Sequence, residues 1–163
     1  MATDSITLPA HLPEHAQAIV RTALIRGAEA KSPYAGMVTP EEANAIRGVV
    51  GVKIIDVRTR AEWVWVGRVP GSHLVSWYDY DGESLTANPE FISQLRTVAD
   101  PDDVLLFLCR TINRSKAAAE AASRAGFRFA VEILEGFEGE PNRASHRSEM
   151  NGWRYRGLPW RQD

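Results

Sequence analysis

A run of five apolar residues from Val104 to Leu108 (VLLFL) leads directly into Cys109, the only cysteine of the chain. A continuously apolar stretch of this length is typical of a central parallel strand, because both of its faces are covered. A half-exposed strand would instead alternate apolar with polar residues. The run therefore predicts an α/β fold in which a buried strand carries the cysteine to the edge of a sheet.

The segments around this run alternate between strand-like and helix-like patterns. Three further stretches have the composition of short strands: 52–57, 72–76 and 130–134. Four stretches have a capping residue ahead of a helical pattern: 39–47, 59–64, 88–98 and 115–124. In the third of these, Asn88 is the predicted cap. Alternation of this kind is typical of an α/β sheet with parallel pairing.

The first 35 residues are predicted to form an N-terminal extension, and 36–163 the main domain. Apolar residues at helical spacing between 13 and 26 predict an amphipathic helix, and Gly27 is expected to end it. The stretch 27–36 mixes small, charged and proline residues and is interpreted as a linker. A chain of 163 residues is long enough to bury a core without disulfides.

Charge and composition exclude several functions. The formal net charge is -2, so we expect no general attraction to nucleic acid or to an anionic membrane. No apolar run approaches the roughly 20 residues of a membrane span, and the N-terminus resembles no secretory signal, so a cytoplasmic protein is expected. We expect no metal or other cofactor, because His11 and His15 are a spaced pair without a further ligand cluster.

Cys109 is followed by a short loop with two arginines and by the predicted start of a helix. Ligands of open α/β sheets bind beyond the carboxyl ends of the strands, which is where the thiol is expected. The backbone N–H groups of the loop, the guanidinium groups of Arg110 and Arg114, and the helix N-terminus all favour a thiolate or a bound anion. A buried, inert thiol is the alternative interpretation. The corresponding structural interpretation of its neighbours makes Thr111 and Asn113 loop formers and Ser115 a helix cap.

Three ordered groups of motifs resemble those of the rhodanese family. The segment Cys109–Ser115 (CRTINRS) resembles the active-site loop of the family, in which cysteine and arginine precede a second arginine and a serine. The N-terminal signature is matched by IIDVR at 54–58, by Glu62 and by GRVPGS at 67–72. The C-terminal signature is matched by LEG at 134–136, NGW at 151–153 and GLPW at 157–160. Ordered motifs across 36–160 are much more specific than one short loop.

The resemblance implies a rhodanese-like fold, with a mainly parallel five-stranded sheet and helices on both faces, and a sulfurtransferase. In that activity Cys109 takes the outer sulfur of thiosulfate or a related anionic donor and holds it as a persulfide for a thiol or cyanide-type acceptor. The implied substrate-binding residues are Arg110, Thr111, Ile112, Asn113, Arg114 and Ser115. Because the chain has no second cysteine, the acceptor is expected to be an external thiol or protein.

Two features of this loop refine the resemblance. Four residues separate Cys109 from Arg114, as in the sulfurtransferases, whereas the related cell-cycle phosphatases have five, so action on phosphate or arsenate is disfavoured. Ile112 stands where the family has glycine, and a loop that required positive φ there would be strained. Its apolar side chain favours a donor less polar than thiosulfate. The alternative function is a non-catalytic module that binds a partner or senses sulfur.

Charged residues outside the loop have less specific patterns. Asp56, Arg58 and Glu62 are interpreted as an ion-pair network that supports the end of a strand beside the site. The long polar stretch from Gly136 to Asn151 is interpreted as a solvated loop. A lid that reaches an anionic substrate is the alternative, through Arg143, His146 or Arg147.

Overall fold

The structure, a computed structural model, describes residues 6–163 and has a five-stranded parallel sheet at its centre. In chain order the strands are β1 (Gly36–Val38), β2 (Val52–Asp56), β3 (His73–Leu74), β4 (Tyr78–Tyr80), β5 (Leu85–Ala87), β6 (Val104–Leu108) and β7 (Phe129–Ile133). The sheet order is β1-β7-β6-β2-β3, with every pair parallel. Strands β4 and β5 form a separate antiparallel hairpin. The predicted parallel sheet is confirmed.

Helices cover both faces of the sheet. They are α1 (Glu14–Glu29), α2 (Pro40–Ile46), α3 (Phe91–Val98) and α4 (Asn113–Arg124), with a short π-helical turn at Glu62–Val66. In β6, Leu106 and Leu108 pack in the core under α1 and α2, whereas Leu105 and Phe107 pack under α3 and α4. A strand that contributes to two cores has no polar face, which explains the uninterrupted apolar run.

The first helix is longer than its sequence pattern predicts. Gly27 was expected to end it, and that prediction is wrong: α1 continues through Gly27 to Glu29. A Cβ on Gly27 would collide with the carbonyl oxygen of Ala35, so the glycine permits a close approach of the chain instead of ending a helix. The apolar side of α1 lies in the same cluster of buried residues as β6 and β7.

Two predicted helix caps, Thr39 and Asn88, have different roles in the structure. Thr39 forms the predicted cap of α2: its Oγ1 accepts from the N–H of Glu42 at 3.1 Å, and its own N–H donates to Glu42 Oε1 at 2.8 Å. Asn88 was predicted to cap the next long helix, and that prediction is wrong. Its side-chain oxygen accepts from the N–H of Glu90 at 3.0 Å in a turn, and α3 begins only at Phe91.

Some elements were not predicted from the sequence. Strand β1 and both strands of the β4–β5 hairpin contain three residues each, which is too short to show a periodic pattern. The hairpin is mostly exposed, so burial imposes little alternation on it. The region after Thr59 forms a π-helical turn, although an α-helix was expected.

Candidate active site

The candidate site begins where β6 ends. The carbonyl of Leu108 accepts from the N–H of Val57 at 2.8 Å, which ties this strand end to the chain leaving β2. The next carbonyl, that of Cys109, accepts from the N–H of Phe137 at 2.8 Å. Backbone hydrogen bonds on both sides therefore hold the cysteine in place, and the chain passes from it through a short loop into α4.

The thiol of Cys109 lies beneath this loop. Cys109 is 1% exposed, and its Sγ lies 3.4 Å from Ser115 Oγ, the acceptor of the thiol hydrogen. Ser115 is buried and donates its own hydroxyl hydrogen to the carbonyl of Ile112 at 2.9 Å. Ser115 is therefore a direct neighbour of the sulfur. It lies in the first turn of α4, which begins at Asn113, so the interpretation of Ser115 as the cap of this helix is wrong. A rotation of its hydroxyl would let it donate to a thiolate.

Arg114 is held by Glu62 in a bidentate ion pair. Its Nη1 and Nη2 donate to Glu62 Oε2 and Oε1 at 2.8 and 2.9 Å. Thr59 adds its N–H and its hydroxyl, each 2.9 Å from Glu62 Oε2. Burial opposes the charge on Glu62, but the hydrogen bonds and charge of Arg114 outweigh it and lower the pKa of Glu62 to about 2. This pair joins the loop to the π-helical turn.

Arg110 is exposed and lines an open cavity of about 470 Å³. The cavity is lined by Arg110 and Arg114, by the carboxylates of Glu62 and Glu138, and by Tyr80 and Leu85 of the hairpin. Arg114 pairs with Glu62, and Glu138 lies 3.7 Å from Arg154. Arg110 has no such ion pair with any residue between 6 and 163. Its guanidinium group is therefore available to an anion in this cavity.

Ile112 fits the loop without backbone strain. It precedes α4 with φ of -147°, so the positive φ that would penalise a β-branched residue does not occur. Thr111 and Ile112 are half-buried, and Asn113 is exposed at the start of α4. The loop thus adopts a local conformation that a side chain at position 112 can tolerate.

The segment after β7 packs against the back of this loop. The carbonyl of Arg110 accepts from the N–H groups of Glu138 and Gly139 at 3.0 and 3.1 Å. Gly136 has φ of +72°, and a Cβ there would lie 2.5 Å from the same carbonyl oxygen, so only glycine allows this approach. Gly136 belongs to a family motif in the sequence, but these contacts were not predicted, since a positive φ and a close approach are properties of the fold.

Arg147 connects the polar 136–151 stretch to the loop. It donates to the carbonyl of Gly139 at 2.6 Å and to Thr111 Oγ1 at 3.2 Å. Arg143 and His146, the other two predicted cations, are exposed, and His146 lies 3.7 Å from Glu149. The stretch therefore presents one of its three cations to the loop.

Asp56 and Arg58 form a fully buried ion pair at the end of β2. Arg58 Nε and Nη2 donate to the two carboxylate oxygens at 2.9 and 2.7 Å, and Nη2 also donates to the carbonyl of Gly67 at 2.7 Å. The guanidinium group lies 4.3 Å from the ring centre of Phe137. This pair thus links β2, the turn at Gly67 and the segment that supports the loop.

Among residues 6–163, no group of three or more His, Cys, Asp or Glu side chains is arranged to hold a metal ion. No helix in the same range is long and apolar enough to cross a membrane.

Protonation of Glu62 is expected to weaken the fold in acid. Because its folded-state pKa of about 2 lies below the ordinary value of 4.5, the stabilisation is complete above pH 4.5 and is lost as the pH falls toward 2. A shift of this size corresponds to about 3 kcal/mol at neutral pH. Urea unfolding of wild-type and Glu62→Gln protein should show a difference in unfolding free energy that shrinks over this range. Glu83→Gln, on the exposed hairpin, is the matched control; a pH-independent difference for Glu62→Gln would contradict the assignment.

The fold and the site together define a class of protein. A parallel α/β sheet delivers a thiol from a central strand into a short loop that leads to a helix. One arginine lies in this loop and a second in the first turn of the helix. This is an α/β protein with a cysteine at the carboxyl end of a central strand. Residues 39–139 match the family model of the rhodanese-like domain. The chain belongs to the rhodanese-like domain family.

Known proteins resemble this chain in sequence or in fold. The crystal structure of Rv0390 from M. tuberculosis is 38% identical, with a TM-score of 0.70, and the match covers 80% of this chain and 99% of that one. An uncharacterized protein of Rickettsia prowazekii is 32% identical over 109 residues, which are 66% of this chain and 80% of that protein. A structure from Rhodopseudomonas palustris, described as a possible tyrosine phosphatase, shares the fold at 24% identity and a TM-score of 0.51, covering 95% of this chain and 100% of that one.

Proposed function

We propose that this protein is a sulfurtransferase that carries sulfur as a persulfide on Cys109. The observation that carries the proposal is the position of this single cysteine, at the end of a central strand and inside a loop with two arginines of different roles. Arg114 is engaged by Glu62, which suits it to orient the loop. Arg110 lines the 470 Å³ cavity, which suits it to bind the anionic donor.

The proposed reaction consists of two displacements at sulfur. The Cys109 thiol loses its proton to solvent, and its thiolate attacks the outer sulfur of thiosulfate. A new S–S bond forms as the old one breaks, and sulfite leaves with the electron pair. An acceptor thiolate or cyanide then attacks the outer sulfur of the persulfide and returns Cys109 as a thiolate. Loop N–H groups and the Ser115 hydroxyl stabilise the negative charge that develops on sulfur.

The acceptor in this proposal comes from outside the chain. Cys109 is the only cysteine, so an internal disulfide cannot discharge the persulfide. An external thiol or a protein cysteine has to approach over the cavity beside Arg110. The cytoplasm is the expected compartment, since a reactive unpaired thiol stays reduced there.

Two other functions remain as alternatives with specific supporting observations. The thiol is only 1% exposed, which favours a non-catalytic module that binds a partner or senses sulfur. A protein of the same fold is described as a possible tyrosine phosphatase, which makes phosphate esters the alternative substrates. Four residues separate Cys109 from Arg114, whereas the related phosphatases have five. The shorter loop encloses less space, which disfavours phosphate.

Intact-mass spectrometry can separate these functions. Wild-type protein incubated with thiosulfate is expected to gain the mass of one sulfur atom, and dithiothreitol is expected to remove it. The same preparation is then assayed for hydrolysis of p-nitrophenyl phosphate. Failure to form an adduct with thiosulfate, glutathione persulfide or polysulfide would favour the binding module. Phosphate-ester hydrolysis without an adduct would favour the phosphatase.

Ile112 is expected to bias the protein toward a less polar donor than thiosulfate. Its half-buried side chain belongs to the short loop that follows Cys109, and we expect it to add apolar surface to the path by which a donor reaches the sulfur. Replacement Ile112→Gly should raise the ratio of activity with thiosulfate to activity with an organic persulfide, by about threefold to tenfold. Steady-state kinetics with both donors test this. Ile112→Val, which keeps an apolar side chain, is the matched control, and an unchanged ratio in Ile112→Gly would exclude the bias.

Arg147 is expected to position the loop without touching the donor. Removal of its contacts with Thr111 and Gly139 should lower kcat for sulfur transfer about threefold to tenfold, because the loop is less well held. The measurement compares Arg147→Ala with Arg143→Ala, an exposed arginine of the same segment that should be close to wild type. Equal activities of the two variants would remove the positioning role.

A further inference from the structure

A second cavity, of about 580 Å³, lies apart from the one beside Arg110. It is bounded by the chain between α1 and β1, by β7 and by the first two turns of α4, and it shares no lining residue with the 470 Å³ cavity. Its charged lining residues are Lys31, Lys116, Glu120 and Glu132, and the hydroxyl-bearing residues Ser32 and Tyr34 also line it. The sulfur-transfer proposal assigns no role to this space.

Glu132 is the unusual residue of this cavity. It is the last residue but one of β7, in register with Phe107 and Met37, and is fully buried. Its Oε2 accepts from the hydroxyl of Tyr34 at 2.8 Å, whereas Oε1 has no hydrogen-bond partner among residues 6–163. A buried carboxylate oxygen without a partner is unfavourable, because it has given up its hydrogen bonds to water and gained none in return. The Tyr34 contact needs only one of the two oxygens, so it does not account for the second.

The environment of Glu132 favours a donor in the cavity. Burial raises the pKa of Glu132, against the effects of the Tyr34 hydroxyl and of Lys116, so a further positive hydrogen-bond donor would stabilise the ionised form. Burial and Glu132 together raise the pKa of Tyr34 to about 12, which keeps its hydroxyl as a donor. Tyr34 thus engages one carboxylate oxygen, and the other keeps an unsatisfied capacity to accept a hydrogen bond.

The charged residues that line the cavity differ in exposure. Glu132 is fully buried, Glu120 is half-buried, and Lys31 and Lys116 are exposed. A ligand with one positive end and one negative end would meet a complementary charge at each end. The volume is within the range of about 300–1,000 Å³ that is typical of small-molecule sites.

We infer that this cavity binds a small zwitterion, with its primary ammonium group toward Glu132 and its carboxylate toward Lys116 and Lys31. Single-charge ligands would satisfy only one end of the site. The site does not depend on sulfur transfer, because none of its contacts involves Cys109 or Arg110.

Isothermal titration calorimetry of the full chain tests this site with defined probes. The probes are glycine, β-alanine, γ-aminobutyrate and ε-aminocaproate, with propionate and propylamine as single-charge controls. At least one zwitterion is expected to bind with a Kd below ~10 mM, and both single-charge controls at least about tenfold more weakly. In Glu132→Gln the affinity should fall by at least about tenfold, since an amide keeps the size but donates where an acceptor is needed. Glu83→Gln, on the exposed hairpin, should bind like wild type.

The results that would overturn the proposed zwitterion site are the following. Absence of binding by all four zwitterions at ~10 mM would overturn the inference and leave the cavity to water. Equal binding by wild type and Glu132→Gln, or equal binding of a single-charge control, would do the same. If circular dichroism shows that Glu132→Gln does not fold, the double variant Lys31→Gln, Lys116→Gln of the two exposed lysines replaces it, and unchanged affinity there would overturn the inference. The sulfur-adduct experiment is independent of all these measurements.

Discussion

The Cys109→Ser protein is expected to transfer no measurable sulfur, a loss of at least about 10³-fold relative to wild type. The chain has no other thiol, and a serine hydroxyl neither ionises near neutral pH nor forms a persulfide. Serine has nearly the size of cysteine, and the position is buried beside Ser115. The fold should therefore be retained, with an unfolding free energy within about 1–2 kcal/mol of wild type.

Steady-state assays with thiosulfate and cyanide, together with circular dichroism, measure both parts of this prediction. Ser115→Ala is the matched control, because it removes the hydroxyl next to the sulfur and keeps the thiol. We expect it to lose activity by about tenfold, which is the scale of one hydrogen bond to a developing charge. Turnover by Cys109→Ser at a rate near wild type would show that another group carries the sulfur and would refute the proposed mechanism.

Asp56→Ala is expected to destabilise the fold by about 3–5 kcal/mol, the usual cost of leaving one member of a buried ion pair behind. Asp56 and Arg58 are both fully buried, and two of the guanidinium nitrogens donate to the carboxylate. Arg58 Nη1 already has no hydrogen-bond partner among residues 6–163. Burial opposes the charge of Arg58, and Asp56 raises the pKa of Arg58 against it. The substitution would remove the main compensation for a buried cation.

Urea unfolding followed by tryptophan fluorescence measures this loss. Asp102→Ala is the control, since its ion pair with Arg128 is largely exposed and should contribute no more than about 1 kcal/mol. The double variant Asp56→Val, Arg58→Met should be more stable than Asp56→Ala, because no unpaired charge remains. A loss for Asp56→Ala as small as that for Asp102→Ala would show that the buried charges are not coupled.

The buried pair also connects stability to the candidate site. The chain that leaves β2 through Asp56 and Arg58 donates from Val57 to the carbonyl of Leu108, the residue before Cys109. Arg58 also packs on Phe137, whose N–H donates to the carbonyl of Cys109. Variants at Asp56 are therefore expected to reduce sulfur transfer as well as stability, and assays at several temperatures separate these two effects.

Much of the sheet could be predicted because its central strands are long and buried. The run from Val104 to Leu108 matches β6 residue for residue, since a strand between two cores admits no polar side chain. The Thr39 cap was also predictable, because both halves of its capping box lie within four residues. Gly27 and Asn88 were misinterpreted because local patterns do not reveal a close approach of distant backbone or the point where a turn becomes a helix.

The candidate site, like the fold, was predictable from the sequence only in part. Its motif residues Cys109, Arg110 and Arg114 are close together in the sequence, so their shared chemistry was visible there. The different tasks of the two arginines were not, because the Glu62 that engages Arg114 is 52 residues away along the chain. The unpartnered oxygen of Glu132 was equally hidden: a single acid in an apolar strand gives no indication of which donors surround it.

The family, the parallel α/β architecture and the candidate nucleophile follow from the amino-acid sequence, because they depend on contiguous patterns of burial and on short motifs. The folded structure was needed to show that Ile112 is unstrained, that Gly136 and Arg147 contact the back of the loop, and that Glu132 lines a second cavity. The difference lies in the distance along the chain over which each feature arises. Strand and cap patterns arise between near neighbours in the chain, whereas loop support, ion pairing and cavities arise between segments that only folding brings together.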